Sequence, residues 1–348
     1  MKRLLLILAL LVARPVGADE ADPGIFADDS VFEIDMHFPF AGLCMNPRDD
    51  ECEDVPGWIS YPDSGGDEVR VDIRIRTRGR WNPKTANCEF PSLFIFFDAD
   101  QAEGTVFEAQ TMLPLTTHCK HHYRNYEDYV QIEYLTHQIY GLLTEISLRT
   151  RLMQVHYKDT ESRLNRKRYA FFVEHFEQMA ARTGTRYIEV DDLDLDKVRP
   201  EEMARFSVFQ LLIGNLDWSA FDAPGDEDCC HNSKLIGKDD ETIPKHGIPY
   251  DFDSSGLVDA HYAVPPDGLG MRHIRQRLYR GFCFANDQLP QAVALFNEKK
   301  PDILALFQNN RHLNDKTRNI AINYIEDFYQ VINDPKQFEK QIIDRCRG

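Results

Sequence analysis

Apolar and polar residues alternate along part of the first half of the chain in the way that half-buried β-strands require. Residues 68–80 place Val and Ile at every second position, with Arg and Asp between them. One face of this strand should therefore pack on a core while the other meets water. Shorter apolar runs predict strands at 92–98 and 111–117, the latter weakened by Pro114, since proline cannot donate to a β-ladder.

A helical period appears further along the chain. Residues 126–145 carry apolar side chains at spacings of three and four, which predicts an amphipathic helix. Strand-like segments follow at 148–158 and 168–174. Residues 198–215 then combine a proline near the start, acidic residues in the first turn and an apolar run that ends at Gly214, which is typical of a capped helix.

Strands therefore dominate the first half of the chain and helices the second. This segregation predicts an α+β fold with two lobes. The sequence predicts a signal peptide at residues 1–18 and an irregular arm at 19–66. A strand-rich N-lobe with one helix follows at 67–176, and a mainly helical C-lobe at 177–348.

The N-terminus predicts export. Lys2 and Arg3 precede the short apolar run LLLILALLVA, and small residues before position 19 indicate cleavage after Ala18. An uncleaved membrane anchor is the alternative. No later run approaches the roughly 18 apolar residues of a membrane span, so we expect a soluble secreted or periplasmic protein. A net charge of -17 argues against nucleic acid as a partner, because phosphate binding needs clustered Lys and Arg.

Eight cysteines in an exported chain predict up to four disulfides. The short spacing of Cys44 and Cys52 suggests one pairing. Cys88 and Cys119 flank neighbouring predicted strands, which suggests a second. Cys229 and Cys230 are adjacent in the sequence, and we expect each to bond elsewhere, one of them to Cys283.

Carboxylates and one amide follow apolar segments in the second half. Asp217 comes just after the predicted helix in GNLDWS, Asn232 ends a loop of acids and cysteines, and Asp251 and Asp253 follow the strand-like GIPY. Such oxygens suit Mg²⁺, Mn²⁺ or Ca²⁺. Phosphoryl transfer needs one Asp near the acceptor, with an Asn and another Asp holding metal. Helix capping and turn formation are the structural alternative for each residue taken singly.

The segments QLLIGNLDWS, HN and IPYDFDSSG together resemble the catalytic segment of the CotH-like spore-coat kinases and, more distantly, of the HipA-type kinases. The strand pair in RIRTRGRWNPKTANCEFPSLFIF is also similar to a CotH-like strand pair. The resemblance covers roughly residues 68–260 and is specific mainly at 214–217 and 249–256. It implies a two-lobed protein-kinase-like fold that binds ATP with Mg or Mn and phosphorylates a protein hydroxyl.

The resemblance also implies roles for individual residues. Asp217 matches the catalytic Asp, Asn232 and Asp251 match metal ligands, and Asp253 is a second candidate ligand. Glu133 on the early helix is the candidate partner of a phosphate-binding cation. The strand FPSLFIFF has no Lys where the family strand has one, so the candidate cations, which could clamp phosphate, are Arg78, Arg80 and Lys84.

Two further hypotheses stay open at this point. A non-catalytic protein of the same fold could act in structure or interaction outside the cell. A zinc-dependent hydrolase could instead use borderline and soft ligands, with Asp217 as base, although the spacing matches no standard zinc motif. The candidate zinc ligands are His118, Cys119, His121, His122, Cys229, Cys230 and His231.

Overall fold

The computed structural model describes residues 24–44, 53–78, 88–123, 125–189, 197–221, 229–237 and 246–348. Strands and helices alternate irregularly along this part of the chain. The ten strands are β1 Phe32–Phe38, β2 Val55–Pro62, β3 Glu68–Thr77, β4 Leu93–Phe97, β5 Met112–Thr116, β6 Thr150–Asp159, β7 Asn165–Val173, β8 Arg186–Ile188, β9 Ser233–Gly237 and β10 His246–Pro249. The seven α-helices are α1 Ala99–Ala102, α2 Asn125–Leu143, α3 Phe176–Arg182, α4 Pro200–Ile213, α5 Leu289–Gln308, α6 Asp315–Asn333 and α7 Pro335–Gln341.

The first seven strands close into a barrel in the order β1-β2-β3-β4-β5-β7-β6. Neighbouring strands are antiparallel except β1 and β6, which run parallel from the pair Phe32 and Met153 onward. In β3 the alternate residues from Val71 to Ile75 are buried inside the barrel. The prediction of a half-buried strand at this position is therefore confirmed.

The predicted two-lobed kinase-like fold, with a strand-rich N-lobe that holds a single helix, is wrong. The structure instead has a closed mixed barrel of seven strands, a separate sheet in the order β10-β9-β8 and seven α-helices in the described residues. The sequence predicts an irregular arm over 19–66, but β1 and β2 lie within it. Because β1 pairs with β6, far away in sequence, local patterns could not show that the sheet closes.

Helices α2 and α4 connect the barrel to the rest of the molecule. α2 packs across β6 and β7 and also contacts α4 and α5. Nearly every residue of α4 from Met203 to Ile213 is buried, which explains why this stretch is apolar all round. α4 ends at Gly214, whose φ of 62° is left-handed and is favoured by glycine at a helix end. The predicted helix and its stop are confirmed.

The disulfides match the prediction in part. Cys88 bonds Cys119, as the neighbouring strands suggest. The prediction that Cys229 and Cys230 bond elsewhere is wrong, because these adjacent residues bond each other. Cys283 bonds Cys346 instead. Cys44 is also disulfide-bonded, whereas its predicted partner at position 52 lies outside the described residues.

The disulfides bear on the cellular compartment. The disulfides fit an extracellular or periplasmic protein, since such bonds persist in oxidising surroundings. Within the described part of the chain, no helix combines the length and the apolar character needed to cross a bilayer. The predicted signal peptide at 1–18 lies outside the described residues and stays a prediction.

Gly57 in β2 provides a test of the barrel closure. A Cβ added there would collide with the carbonyl oxygen of His37 and lie 2.9 Å from Phe38 Cβ in β1. We expect Gly57→Ala to lower the free energy of unfolding by about 1–3 kcal/mol, because the backbone of β1 must shift. Urea denaturation followed by circular dichroism measures this change.

The matched control is Gly141→Ala in α2, where the added Cβ meets nothing closer than Ser147 Oγ at 3.7 Å. This substitution should stabilise the protein by about 0.5–1 kcal/mol, because alanine favours helix over glycine. Equal stability of Gly57→Ala and the unaltered protein would contradict the close pairing of β1 with β2.

Candidate functional site

A cavity of about 650 Å³ lies where the barrel meets α2 and the loops after α4 and β10. Five residues that the sequence singles out for phosphoryl transfer line it: Arg78, Glu133, Asp217, Asp251 and Asp253. Arg78 follows β3, Glu133 comes from α2, and the three Asp come from the two loops. The fold thus brings together residues that are distant in sequence.

Asp217 is held by its neighbours in a fixed orientation. Its backbone N–H donates to Asn215 Oδ1 at 2.9 Å. On its side chain, Oδ1 lies 2.8 Å from His231 Nε2, and Oδ2 accepts from Asn232 Nδ2 at 3.3 Å. Asn232 Nδ2 also donates to the backbone oxygen of Asp217 at 2.8 Å. Both carboxylate oxygens therefore have a partner, although the group is 37% exposed.

His231 and Asn232 reach Asp217 from the tip of a tight turn. Cys230 and Ser233 exchange two backbone hydrogen bonds of 3.3 Å on either side of them. Asn232 adopts a φ of 51°, a left-handed conformation that asparagine tolerates better than most residues. Its carbonyl also accepts from the N–H of Tyr250 at 3.1 Å. The turn is thereby tied to the strand end that leads into Asp251.

Asp251 and Asp253 lie on either side of a buried phenylalanine. Asp251 has a φ of 60°, so the chain turns sharply after β10. The ring of Phe252 is fully buried, and its backbone N–H donates to Glu133. Asp253 Oδ2 accepts from the hydroxyl of Tyr262 at 3.1 Å. Burial of the phenylalanine places the two flanking carboxylates at the cavity.

The carboxylates in the cavity repel one another. Burial raises the pKa of Glu133 well above its usual range, and the charges of Asp253 and Asp251 raise it further. Burial, followed by repulsion from Asp251, raises the pKa of Asp253 to about 7. Burial also raises the pKa of Asp251, whereas the guanidinium of Arg78 lowers it. The excess of negative charge favours a bound cation here.

Of the three predicted cations, Arg78 lies at the cavity, where its Nη1 is 3.5 Å from Thr116 Oγ1. Arg80 and Lys84 fall outside the described residues. Glu133 lines the same cavity as Arg78, whose charge lowers the pKa of that glutamate. Its role as partner of a phosphate-binding cation stays a prediction.

Most of the histidines and cysteines considered for zinc have other partners. His118 Nε2 lies 3.0 Å from His121 Nδ1. The cysteines proposed beside them are oxidised, so they cannot act as thiolate ligands. No group of three or more His, Cys, Asp or Glu side chains in the described ranges is already arranged around a metal position. The zinc hydrolase hypothesis thereby loses its soft ligands.

Sequence reasoning missed two contributors to the site. The sequence marks His231 as a zinc candidate, whereas in the structure it contacts Asp217. Its position directly before Asn232 is the signal that could have suggested this. Tyr262 bonds Asp253 from a loop without a helical or strand period, and no local pattern marks it.

No protein-family model matches this chain, and a search of curated proteins gives no significant match.

The raised pKa of Asp253 leads to a test of pH dependence. Its folded pKa of about 7 exceeds the ordinary 3.8. Between these two pH values the folded state therefore holds a proton that the unfolded state has lost. The stability that this proton gives is complete at low pH and is lost as pH rises toward and through 7. Asp253→Asn mimics the neutral form and should become increasingly stable, relative to the unaltered protein, between pH 5 and about 7.5.

Thermal unfolding in the presence of a chelator measures this difference at each pH. Asp72→Asn on the outside of the barrel, where the carboxylate is 59% exposed, is the control, because it removes a carboxylate that does not line the cavity. A stability difference for Asp253→Asn that does not change with pH would show that this carboxyl ionises normally.

Proposed function

We propose that this protein is a metal-dependent phosphotransferase that moves a phosphoryl group from ATP to a protein hydroxyl. The observation that carries the proposal is the meeting of Asp217, Asp251 and Asp253 at one cavity that also contains Glu133 and Arg78. Asn232 is hydrogen-bonded to Asp217 beside it. Its volume of about 650 Å³ lies within the usual range for cofactor sites.

The residues at the cavity fit a magnesium or manganese ion. Asp251 and Asp253 raise the pKa of Glu133, and a divalent cation would relieve that repulsion. The side-chain N–H of Asn232 donates to Asp217, so its amide oxygen is available to a metal. Asp251, Asp253 and Asn232 would therefore hold the ion with hard oxygen ligands. When bound, the metal would neutralise charge on the phosphates.

Three residues of the chain have the remaining roles in phosphoryl transfer. Asp217 accepts the proton of the acceptor hydroxyl as the new O–P bond forms and the bond from the γ-phosphorus to the bridging oxygen of ATP breaks. The guanidinium of Arg78 contacts phosphate oxygens, which its planar geometry suits. His231 orients Asp217 through the 2.8 Å contact with Oδ1.

Nucleotide binding and transfer can be tested with single substitutions. ATP with Mn²⁺ at about 100 times its Kd should add about 2.7 kcal/mol to the free energy of unfolding, visible as a rise in Tm. Asp251→Asn should abolish this rise. Asp217→Asn should keep it but reduce phosphate transfer by about 10²–10⁴. Asp72→Asn is again the control.

Incorporation of labelled phosphate into candidate acceptor proteins measures the transfer. Absence of any Tm rise with ATP and either metal would overturn the proposal. A Tm rise without transfer to any acceptor, including autophosphorylation, would favour the non-catalytic alternative.

His231 should act as a positioning residue. His231→Gln removes the contact with Asp217 Oδ1 while leaving the metal-binding carboxylates intact. We expect kcat to fall by about ten-fold or more, with KM for ATP nearly unchanged, because the lost contact is the one that orients Asp217. The pH profile of kcat should shift as well. A change confined to KM would show that His231 serves nucleotide binding instead.

A further inference from the structure

A second cavity of about 820 Å³, here called the α2 groove, lies along the C-terminal part of α2. His137, Gln138 and Glu145 contribute to it from α2 or its end, Arg149 from the turn before β6, and Asp29 from the segment before β1. It shares no described lining residue with the cavity around Asp251. The α2 groove is therefore separate from the proposed phosphotransfer site.

His137 is a buried polar side chain that faces the α2 groove. Only 5% of the residue is exposed, and its ring packs on Phe252 at 4.6 Å and on Phe171 at 5.7 Å between centroids. Burial lowers its pKa to about 3, so the imidazole is neutral. Within the described residues no side chain or backbone group hydrogen-bonds to its nitrogens. Because the ring lines the α2 groove, its nitrogens can form a hydrogen bond with a ligand there.

The charges along the α2 groove are of both signs. Arg182 is already bound by Glu174 through contacts of 2.9 and 2.8 Å. Arg149 is exposed, and its guanidinium forms no ion pair with any other described residue. Asp29 and Glu145 likewise have no cationic partner in the described ranges. A ligand with one negative and one positive group could pair with Arg149, Asp29 and Glu145 together. A simple anion would be repelled by the two carboxylates.

We propose that the α2 groove binds a small zwitterion, a free α-amino acid or a dipeptide. Its carboxylate would pair with Arg149, its ammonium group with Asp29 and Glu145, and a polar group would hydrogen-bond to His137. Since His137 packs on Phe252, which separates Asp251 from Asp253, occupancy also alters metal affinity at those carboxylates. This second step rests on the proposed function, whereas binding in the groove does not.

Isothermal titration calorimetry on the purified protein tests the binding. The common proteinogenic amino acids and glycylglycine are titrated singly, with acetate and methylamine as probes that carry only one of the two charges. We expect saturable binding of at least one zwitterion and at least about ten-fold weaker binding of both single-charge probes. No binding by any zwitterion, or equal binding of acetate, would overturn the proposal.

Two variants locate the site. Arg149→Gln changes an exposed side chain and should weaken zwitterion binding by about ten-fold or more, whereas Arg163→Gln, also exposed, should not. His137→Phe keeps an aromatic ring against Phe252 but removes the nitrogens, and it should also weaken binding. Unchanged affinity in Arg149→Gln would place the ligand elsewhere and overturn the assignment.

The coupling is tested by titrating Mn²⁺ with and without saturating amino acid. The Kd for Mn²⁺ should change, and the Kd for the amino acid should change by the same factor when Mn²⁺ is saturating. An unchanged Kd would overturn the coupling. If Mn²⁺ fails to bind at all, the proposed function fails, but the amino-acid titrations still decide whether the α2 groove is a site.

Discussion

The geometry of the candidate site depends on a backbone junction between its two loops. Gly256 N–H donates to the carbonyl of Gly214 at 3.1 Å, and Leu257 N–H donates to that of Ile213 at 2.9 Å. The hydroxyl of Tyr324 occupies the space beside both glycines, where a Cβ on either would collide with it. The chain leaving α4 toward Asp217 is thereby fixed to the chain leaving Asp253. Helix α6, which carries Tyr324, thus supports the site without contributing a charged group.

The charge arrangement at the cavity has an energetic cost for the fold. Glu133 is only 5% exposed, and two nearby Asp add to the burial that raises its pKa. Buried carboxylates are usually paired with a cation, because an uncompensated buried charge is destabilising. In the described residues, Arg78 is the cation whose charge acts on both Glu133 and Asp251. A cluster kept against this cost is typical of a binding or catalytic site.

The sequence predicts local features well and long-range pairings poorly. Gly214 marks the end of α4 through its left-handed φ, and the carboxylates that follow short apolar segments do meet at one cavity. These signals lie within a few residues of one another. The parallel pairing of β1 with β6 joins residues more than a hundred positions apart, and no periodicity encodes it. One local prediction is wrong too, because Cys229 and Cys230 bond each other rather than distant cysteines.

Helix α2 contributes side chains to both cavities. Glu133 and His137 lie one turn apart and so project from neighbouring positions on the helix. The first lines the carboxylate cavity and the second lines the α2 groove, yet both contact Phe252, one through its backbone N–H and the other through its ring. A shift of α2 or of Phe252 would therefore displace side chains at both cavities, because close-packed side chains have little free space. One buried phenylalanine thus provides a physical connection between the two cavities.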